Sequence, residues 1–365
     1  MNKLDLDYKD ILNDILTNGH VKGDRTGTGT ISTFGQRIVH NMSTGFPILT
    51  TKKVHFHSVL TELIWFMKGR TDLRWLLERG NTIWVGDAYK KYVTYASNLE
   101  EPDYDVHVDD PMQNCTRLMT RLEFIEMIKT NDQDSERWGS LGKIYGHFWR
   151  SWGGIDQLQN AIDTLRTNPD SRRIMVNAWS PADLEDMILP PCHYGFQVYT
   201  RELSAVERED YFAKKNNYTS EERYGMHPNH TDDDVHMKMD EVGVPKRGIS
   251  LMFNMRSTDV PLGLPFNITS YGLLLEIFGK MVNMIPEKLI GNLGDTHIYA
   301  NQVDGVKEQL KRDIHPLPKL EISNNTYFDG TLDEMLDSLT ITRERPDIQL
   351  VDYKHEDPIK FPLSN

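Results

Sequence analysis

The chain has 365 residues, of which 38% are hydrophobic, 26% charged and 10% aromatic; this composition supports a large packed core and excludes a disordered chain or a small disulfide scaffold. Its 41 basic and 54 acidic residues leave a net charge of −13, which argues against DNA as a partner, because duplex binding demands a clustered basic surface. No run approaches the roughly 20 apolar residues of a membrane span, and the polar stretch 1–10 has no apolar signal core; the expectation is a soluble cytoplasmic protein without a membrane partner.

In chain order, the spacing predicts a helix over 8–18, where Ile11, Leu12 and Ile15 share a face, then an alternating strand over 30–40 and a buried helix over 57–68 closed by Gly69-Arg70. Residues 98–121 are polar with little periodicity, and a short helix is expected at 122–130. Two strands, 194–200 and 249–254, flank a stretch crowded with charge, including Lys214-Lys215 and Asp232-Asp233-Asp234. The apolar segment 270–282 carries Ser270, Gly272 and Gly279, small enough for close packing, and reads as the central buried helix. The expectation is one α+β domain over 1–365, helices on a mixed sheet, with polar insertions at about 98–135 and 201–247.

Several chemistries are not indicated. His227, His230 and His236 match no tight metal-ligand spacing, so no metal is expected. Gly27-Thr28-Gly29 lacks the third glycine and following helix of a dinucleotide site. Cys115 and Cys192 are too few and too far apart for a disulfide framework.

Cys192 follows the rigid pair Pro190-Pro191 and precedes His193 and a strand, so backbone restriction sets its direction, as a nucleophile requires. A thiol becomes useful when nearby positive charge lowers its pKa. Arg25 stands in a Gly/Thr turn whose backbone can approach an oxyanion, Arg172-Arg173 precede one strand and Arg256-Ser257 follow another, so their convergence would make a phosphate site. Glu62 lies on an apolar helix between Leu60 and Leu63, where a carboxylate is costly unless paired or functional. Taken singly, these are also an inert buried cysteine, a polar turn and surface salt bridges.

Taken together and in this order, Asp24-Arg25-Thr26-Gly27-Thr28-Gly29-Thr30, Gly45-Phe46-Pro47 with Thr50-Thr51-Lys52-Lys53, Glu62-Leu63-Ile64-Trp65-Phe66, Asp170-Ser171-Arg172-Arg173, Pro191-Cys192-His193, Gly263-Leu264-Pro265-Phe266-Asn267-Ile268 and Gly294-Asp295-Thr296-His297-Ile298-Tyr299 resemble the thymidylate synthase family. The resemblance runs from about residue 5 to the C-terminus outside the two polar stretches. It implies a homodimer, formed through the sheet face opposite the helices, that methylates dUMP to dTMP. The cosubstrate 5,10-methylenetetrahydrofolate would be both carbon and hydride donor and leave as dihydrofolate, with no metal, flavin or nicotinamide. By resemblance Cys192 adds to C6 of the pyrimidine, Glu62 is the acid/base residue acting through water at O4, Tyr145 belongs to the proton-transfer network, and Arg256 sits near the sulfur. Arg25, Arg256 and Ser257 would bind the dUMP phosphate, with Arg172 and Arg173 reaching it from the partner subunit. Asn267 would read the pyrimidine, Asp259 would line it, and His297 with Tyr299 would bind the 3'-hydroxyl. Lys52, Lys53, His55, Trp84, Asp259, Gly263 and Ser364 would line the folate site.

The chain departs from the pattern at Val85-Gly86-Asp87, where a second tryptophan is common, at Met255 in place of glutamine, at Val260-Pro261, and in its polar ending Pro362-Leu363-Ser364-Asn365, which implies looser closure over the folate. These departures motivate two alternatives: a dUMP hydroxymethylase, in which water takes the place of hydride, and a non-catalytic relative that binds RNA or protein. The second would need a damaged site, and Cys192, Glu62, Arg256 and Asn267 are all present.

Overall fold

Ten strands are seen among the described residues of the computed structural model, which are 2–24, 26–99, 107–110, 115–219 and 231–364, with backbone alone at 109, 110, 115 and 116. They are β1 (His20–Lys22), β2 (Thr30–Asn41), β3 (His107–Asp110), β4 (Cys115–Leu118), β5 (Met175–Asn177), β6 (His193–Glu202), β7 (Arg247–Asp259), β8 (Ile285–Tyr299), β9 (Lys319–Ile322) and β10 (Ile348–Val351). Six of them form the main sheet in the order β1-β2-β8-β7-β6-β5. Its neighbours pair antiparallel except β7 and β8, which run parallel.

A parallel pair needs a crossover, and here it is the helix Gly263–Met281, which packs back on both strands. Leu273, Leu274, Leu275, Ile277 and Phe278 are fully buried on it, as expected of a helix that is apolar all round. Gly272 is required by packing: a Cβ there would lie 2.3 Å from Pro47 Cγ. The helix begins at Gly263 and not near 270 as the apolar run suggested. Pro265 falls in the first turn, where its missing N–H has no intrahelical partner to lose, and Asp259 Oδ1 accepts the Leu262 N–H at 3.0 Å. Asn267 therefore stands on the helix and not in a loop before it.

The N-terminal helix, Lys3–Asn18, buries Leu4, Tyr8, Ile11, Leu12 and Ile15. Buried Asp5 accepts the Thr50 N–H at 3.0 Å and its hydroxyl at 2.6 Å, which ties that helix to the segment carrying Lys52. One hydrophobic cluster runs from Leu4 to Phe361.

Both polar stretches hold ordered structure. In and just beyond 98–135, after the antiparallel pair β3–β4, the helices Arg121–Thr130 and Asp132–Gly139 bury Phe124, Ile128 and Trp138, and Tyr92 lies 5.3 Å from Phe124 and 5.5 Å from Trp138 between ring centroids. Within 201–247 the helices Ala205–Lys215 and Asp232–Glu241 have a small core of their own, Ala205, Val235, Met239 and Val244. Buried Arg208 staples it, donating to the carbonyls of His236, Val244 and Pro245 and to the Asp240 carboxylate. His236 is thus a helix residue whose Nδ1 lies 3.0 Å from the Arg208 guanidinium. His227 and His230 lie outside the described residues. Among the described residues no His/Cys/Asp/Glu group suited to a metal occurs.

The helices cover one face of the sheet. On the other, the alternation that buries Phe196 and Val198 leaves Tyr199 64% exposed, and the strand registers put the exposed Met175 and Val39 on that same face.

Candidate active site

Cys192 is held by its backbone. Arg256, near the end of β7, donates from Nε to the Pro191 carbonyl at 2.9 Å and from Nη2 to the Pro190 carbonyl at 3.0 Å, while its own N–H donates to the Cys192 carbonyl at 2.9 Å. On the other side the Cys192 N–H donates to the Tyr145 hydroxyl at 2.9 Å. The guanidinium also stacks over Trp179, 5.2 Å from the ring centroid. The di-proline loop and two clamps thus aim a half-buried side chain. Gly294 of β8 permits the close strand approach underneath, since a Cβ there would meet the Met255 and Arg256 carbonyls at 2.9 Å.

Behind the cysteine, Tyr145 stacks on His193 with centroids 4.1 Å apart and planes at 14°. His193 Nδ1 is 2.8 Å from the Tyr271 hydroxyl. Burial pulls His193 down to about 3, so it is neutral across the physiological range. Burial, reinforced by the neighbouring Cys192, pushes the Tyr145 phenol well above its usual value, so it keeps its proton.

Glu62 projects from the apolar helix Phe56–Met67. Trp84, preceding the helix Val85–Ser97, donates its indole N–H to Glu62 Oε1 at 2.8 Å. Burial raises Glu62 to about 7 against the opposing pull of that bond. A carboxyl near half-protonation at neutral pH is suited to general acid–base work.

Asn267 donates from Nδ2 to the Met255 sulfur at 3.4 Å. A thioether accepts and never donates, so the contact directs the amide nitrogen toward Met255 and leaves one N–H and the carbonyl for another partner. The parallel β7–β8 register sets Ser257 beside Asp295 and Asp259 beside His297. His297 Nδ1 lies 3.2 Å from Asp295 Oδ1, and its ring meets Tyr299 edge-on at 5.2 Å. Arg25 lies outside the described residues. The adjoining residues 26–29 are anchored by Asp24, which accepts the Gly29 N–H at 2.7 Å, and by the Gly29 carbonyl, which accepts from Ala300 N–H at 2.9 Å beside Tyr299.

Lys52 is buried, donates to the Pro261 carbonyl and lies 4.8 Å from the Phe361 ring centroid. Burial pulls it down to about 8, against the opposing field of Asp259. Burial in turn raises Asp259. Lys53 and His55 are exposed beyond it, and burial with the charges of Lys53 and Arg343 lowers His55. Gly263 opens in front of Asp259, whose Cβ is the nearest atom an added methyl would meet, at 3.9 Å. Despite its polar composition the C-terminal segment is docked: Phe361 is buried, and Ser364 Oγ accepts from Asn301 Nδ2 at 3.4 Å.

The structure therefore gathers Cys192, Tyr145, Arg256 and Asn267 around the ends of β6 and β7, and Glu62 with Trp84 beside Tyr145, whose ring lies 6.3 Å from that of Trp84. Arg172 and Arg173 are not brought there. Both are exposed next to the point where Met175 pairs with Gln197, and five residues of β6 beyond Cys192 is roughly 16 Å. Sequence reasoning missed Tyr271 and Trp179, because their contacts with His193 and Arg256 come from burial and orientation and carry no spacing signal.

Residues 6–365 match the family model described as Thymidylate synthase. The chain is 35% identical to the thymidylate synthases of Listeria innocua serovar 6a and Listeria monocytogenes serovar 1/2a, in each case over 98% of this chain and 99% of the relative. It is 34% identical to the thymidylate synthase of Mesoplasma florum over 90% of this chain and 93% of that protein.

Proposed function

The chain belongs to the thymidylate synthase family, and from that premise we propose how its cleft carries out the family's reaction, the methylation of dUMP to dTMP. The clamped backbone of Cys192 is the observation that carries the reading.

The Cys192 thiolate adds to C6 of the uracil ring, and the electron pair of the C5–C6 bond moves toward O4, leaving C5 nucleophilic. Arg256 holds the loop and supplies positive charge on the side of the sulfur. Asn267 donates its remaining N–H to O4 and accepts from N3–H, a pairing that cytosine cannot satisfy. Glu62, near half-protonation, exchanges a proton with O4 through water, and Tyr145 extends that proton-transfer network beside Cys192. His297 and Tyr299 bind the 3'-hydroxyl, while Arg25, Arg256 and Ser257 bind the phosphate. Once C5 carries the new carbon it gives up its proton to a base of this network, and the C6–S bond breaks as the hydride is delivered, which re-forms C5=C6 and restores the Cys192 thiolate.

Bound 5,10-methylenetetrahydrofolate supplies the one-carbon unit and the hydride and leaves as dihydrofolate. The residues present fit it: buried Lys52, the Trp84 ring, the Asp259 carboxylate and the open position at Gly263 line one wall, with Lys53, His55 and Ser364 at its margin. The active form is a homodimer built on the exposed sheet face, with Arg172 and Arg173 given to the partner's phosphate site; their exposure and distance from Cys192 support this. We read the chain as one catalytic domain in the cytoplasm, carrying its two insertions at about 98–135 and 201–247. Among the described residues no helix is long and apolar enough to cross a membrane.

The test is to mix purified protein with dUMP and 5,10-methylenetetrahydrofolate, follow dihydrofolate absorbance and identify the nucleotide by mass. Dihydrofolate with dTMP is expected. Hydroxymethyl-dUMP without dihydrofolate would replace this reading with the hydroxymethylase.

A further inference from the structure

Gln302 is almost completely buried, 1% exposed, in a short helical turn directly after β8. A buried primary amide is costly unless its groups are paired, and here three bonds go to three different parts of the cleft. Oε1 accepts the Tyr299 N–H at 3.1 Å. Nε2 donates to Asp259 Oδ2 and to the Pro362 carbonyl, both at 3.2 Å. One side chain thus joins the end of the strand bearing His297 and Tyr299, the carboxylate at the end of β7, and the C-terminal segment.

Other features strengthen the junction. Phe361, next to Pro362, packs on Gly305, where a Cβ would lie 2.7 Å from the ring, and forms the cation–π contact with buried Lys52. Asp259 keeps one oxygen on the Leu262 N–H, and Gln302 orients the other. Beyond Pro362 the segment has little apolar grip, since Leu363 is 56% exposed. The polar ending is therefore held by a hydrogen-bonded latch in place of apolar burial.

We propose that Gln302 is a positioning residue that couples docking of the C-terminal segment to the orientation of Asp259, and so sets the folate-side wall without touching dUMP. The functional half of this inference rests on the reading of Lys52 and Asp259 as folate-site residues; the latch itself does not.

Gln302→Met keeps the length of the side chain and removes its polar groups, and Gln302→Glu keeps an acceptor but sets a carboxylate against Asp259. In the unliganded chain, hydrogen exchange of a peptide covering 352–364 should quicken by up to about tenfold in Gln302→Met, the size expected for losing the hydrogen bond to the Pro362 carbonyl. The KM for 5,10-methylenetetrahydrofolate should rise about tenfold on the same grounds, while dUMP affinity stays within twofold. Gln302→Glu should restore neither. Deleting residues 362–365, which leaves buried Phe361 in place, should raise the same KM, and adding Gln302→Met to that deletion should have a less than additive effect. Unchanged exchange of the segment, additive effects, or a parallel loss of dUMP affinity and folding stability would overturn the proposal. Should the chain not make dTMP at all, the functional reading falls while the exchange comparison still decides the latch.

Discussion

Replacing Glu62 with glutamine should make the protein more stable and catalytically inert, and the gain should depend on pH in a way the structure specifies. Burial raises the carboxyl from its ordinary 4.5 to about 7, so the folded state favours the proton. Below pH 4.5 the group is protonated in both states and costs nothing extra. Between 4.5 and 7 the unfolded chain ionises first and stability is lost. Above 7 the carboxylate is charged in both states and the full penalty stands, about 3 kcal/mol at 1.36 kcal/mol per pKa unit. The glutamine amide is neutral at every pH, so Glu62→Gln should be nearly neutral to stability at pH 4 and stabilising by up to about 3 kcal/mol at pH 8.5. Denaturant midpoints measured across that range, alongside turnover, test this directly. Trp84→Phe provides the complementary change: loss of a hydrogen bond to the carboxylate, about 1.5 kcal/mol or more, should raise the Glu62 pKa and move the corresponding inflection of the kcat/KM profile up by about one pH unit. A stability difference that does not vary with pH, or an inflection that stays put in Trp84→Phe, would refute the assignment of Glu62 as the buried acid/base group.

Cys192→Ser should reduce turnover below detection while dUMP binding, measured by titration calorimetry, changes by no more than a few fold; measurable steady turnover would end the covalent mechanism. Asn267→Asp should shift the ratio of kcat/KM for dCMP over dUMP upward by about two orders of magnitude, because a carboxylate accepts from the cytosine amino group and opposes the uracil O4. Arg208→Ala removes four hydrogen-bonded anchors from the inserted helix pair and should loosen that unit by about 3 kcal/mol. Limited proteolysis should then cut within 205–241 with kcat unchanged.

Legible from the residues alone were the elements with strong periodicity, 8–18, 30–40, 57–68 and the two strands about 194–200 and 249–254, because a repeat of 3.6 or 2 reports the buried face directly. The rigid Pro190-Pro191-Cys192 segment was equally legible, since proline restricts the backbone wherever it stands. The charge anomaly of Glu62 on an apolar helix was visible too, but its titration near 7 was not, because that depends on how much water the assembled cleft excludes. The start of the central helix at Gly263 was hidden by Pro265, which breaks a helix in its interior and is harmless in its first turn. The inserted helices of 205–241 were hidden by their charge, since their core is too small to mark the pattern and a single buried arginine organises it. Spacing left open which arginine meets the cysteine; the family resemblance pointed to Arg256, and only the tertiary structure supplies the reason. Arg256 reaches it because β7 lies next to β6, whereas Arg172 and Arg173 stand exposed beside β5, farther along β6. Tertiary structure alone decided that a polar C-terminal segment is docked through Gln302, a contact between residues 60 positions apart, for local patterns record which faces are buried and carry no information on which distant partner a buried amide finds.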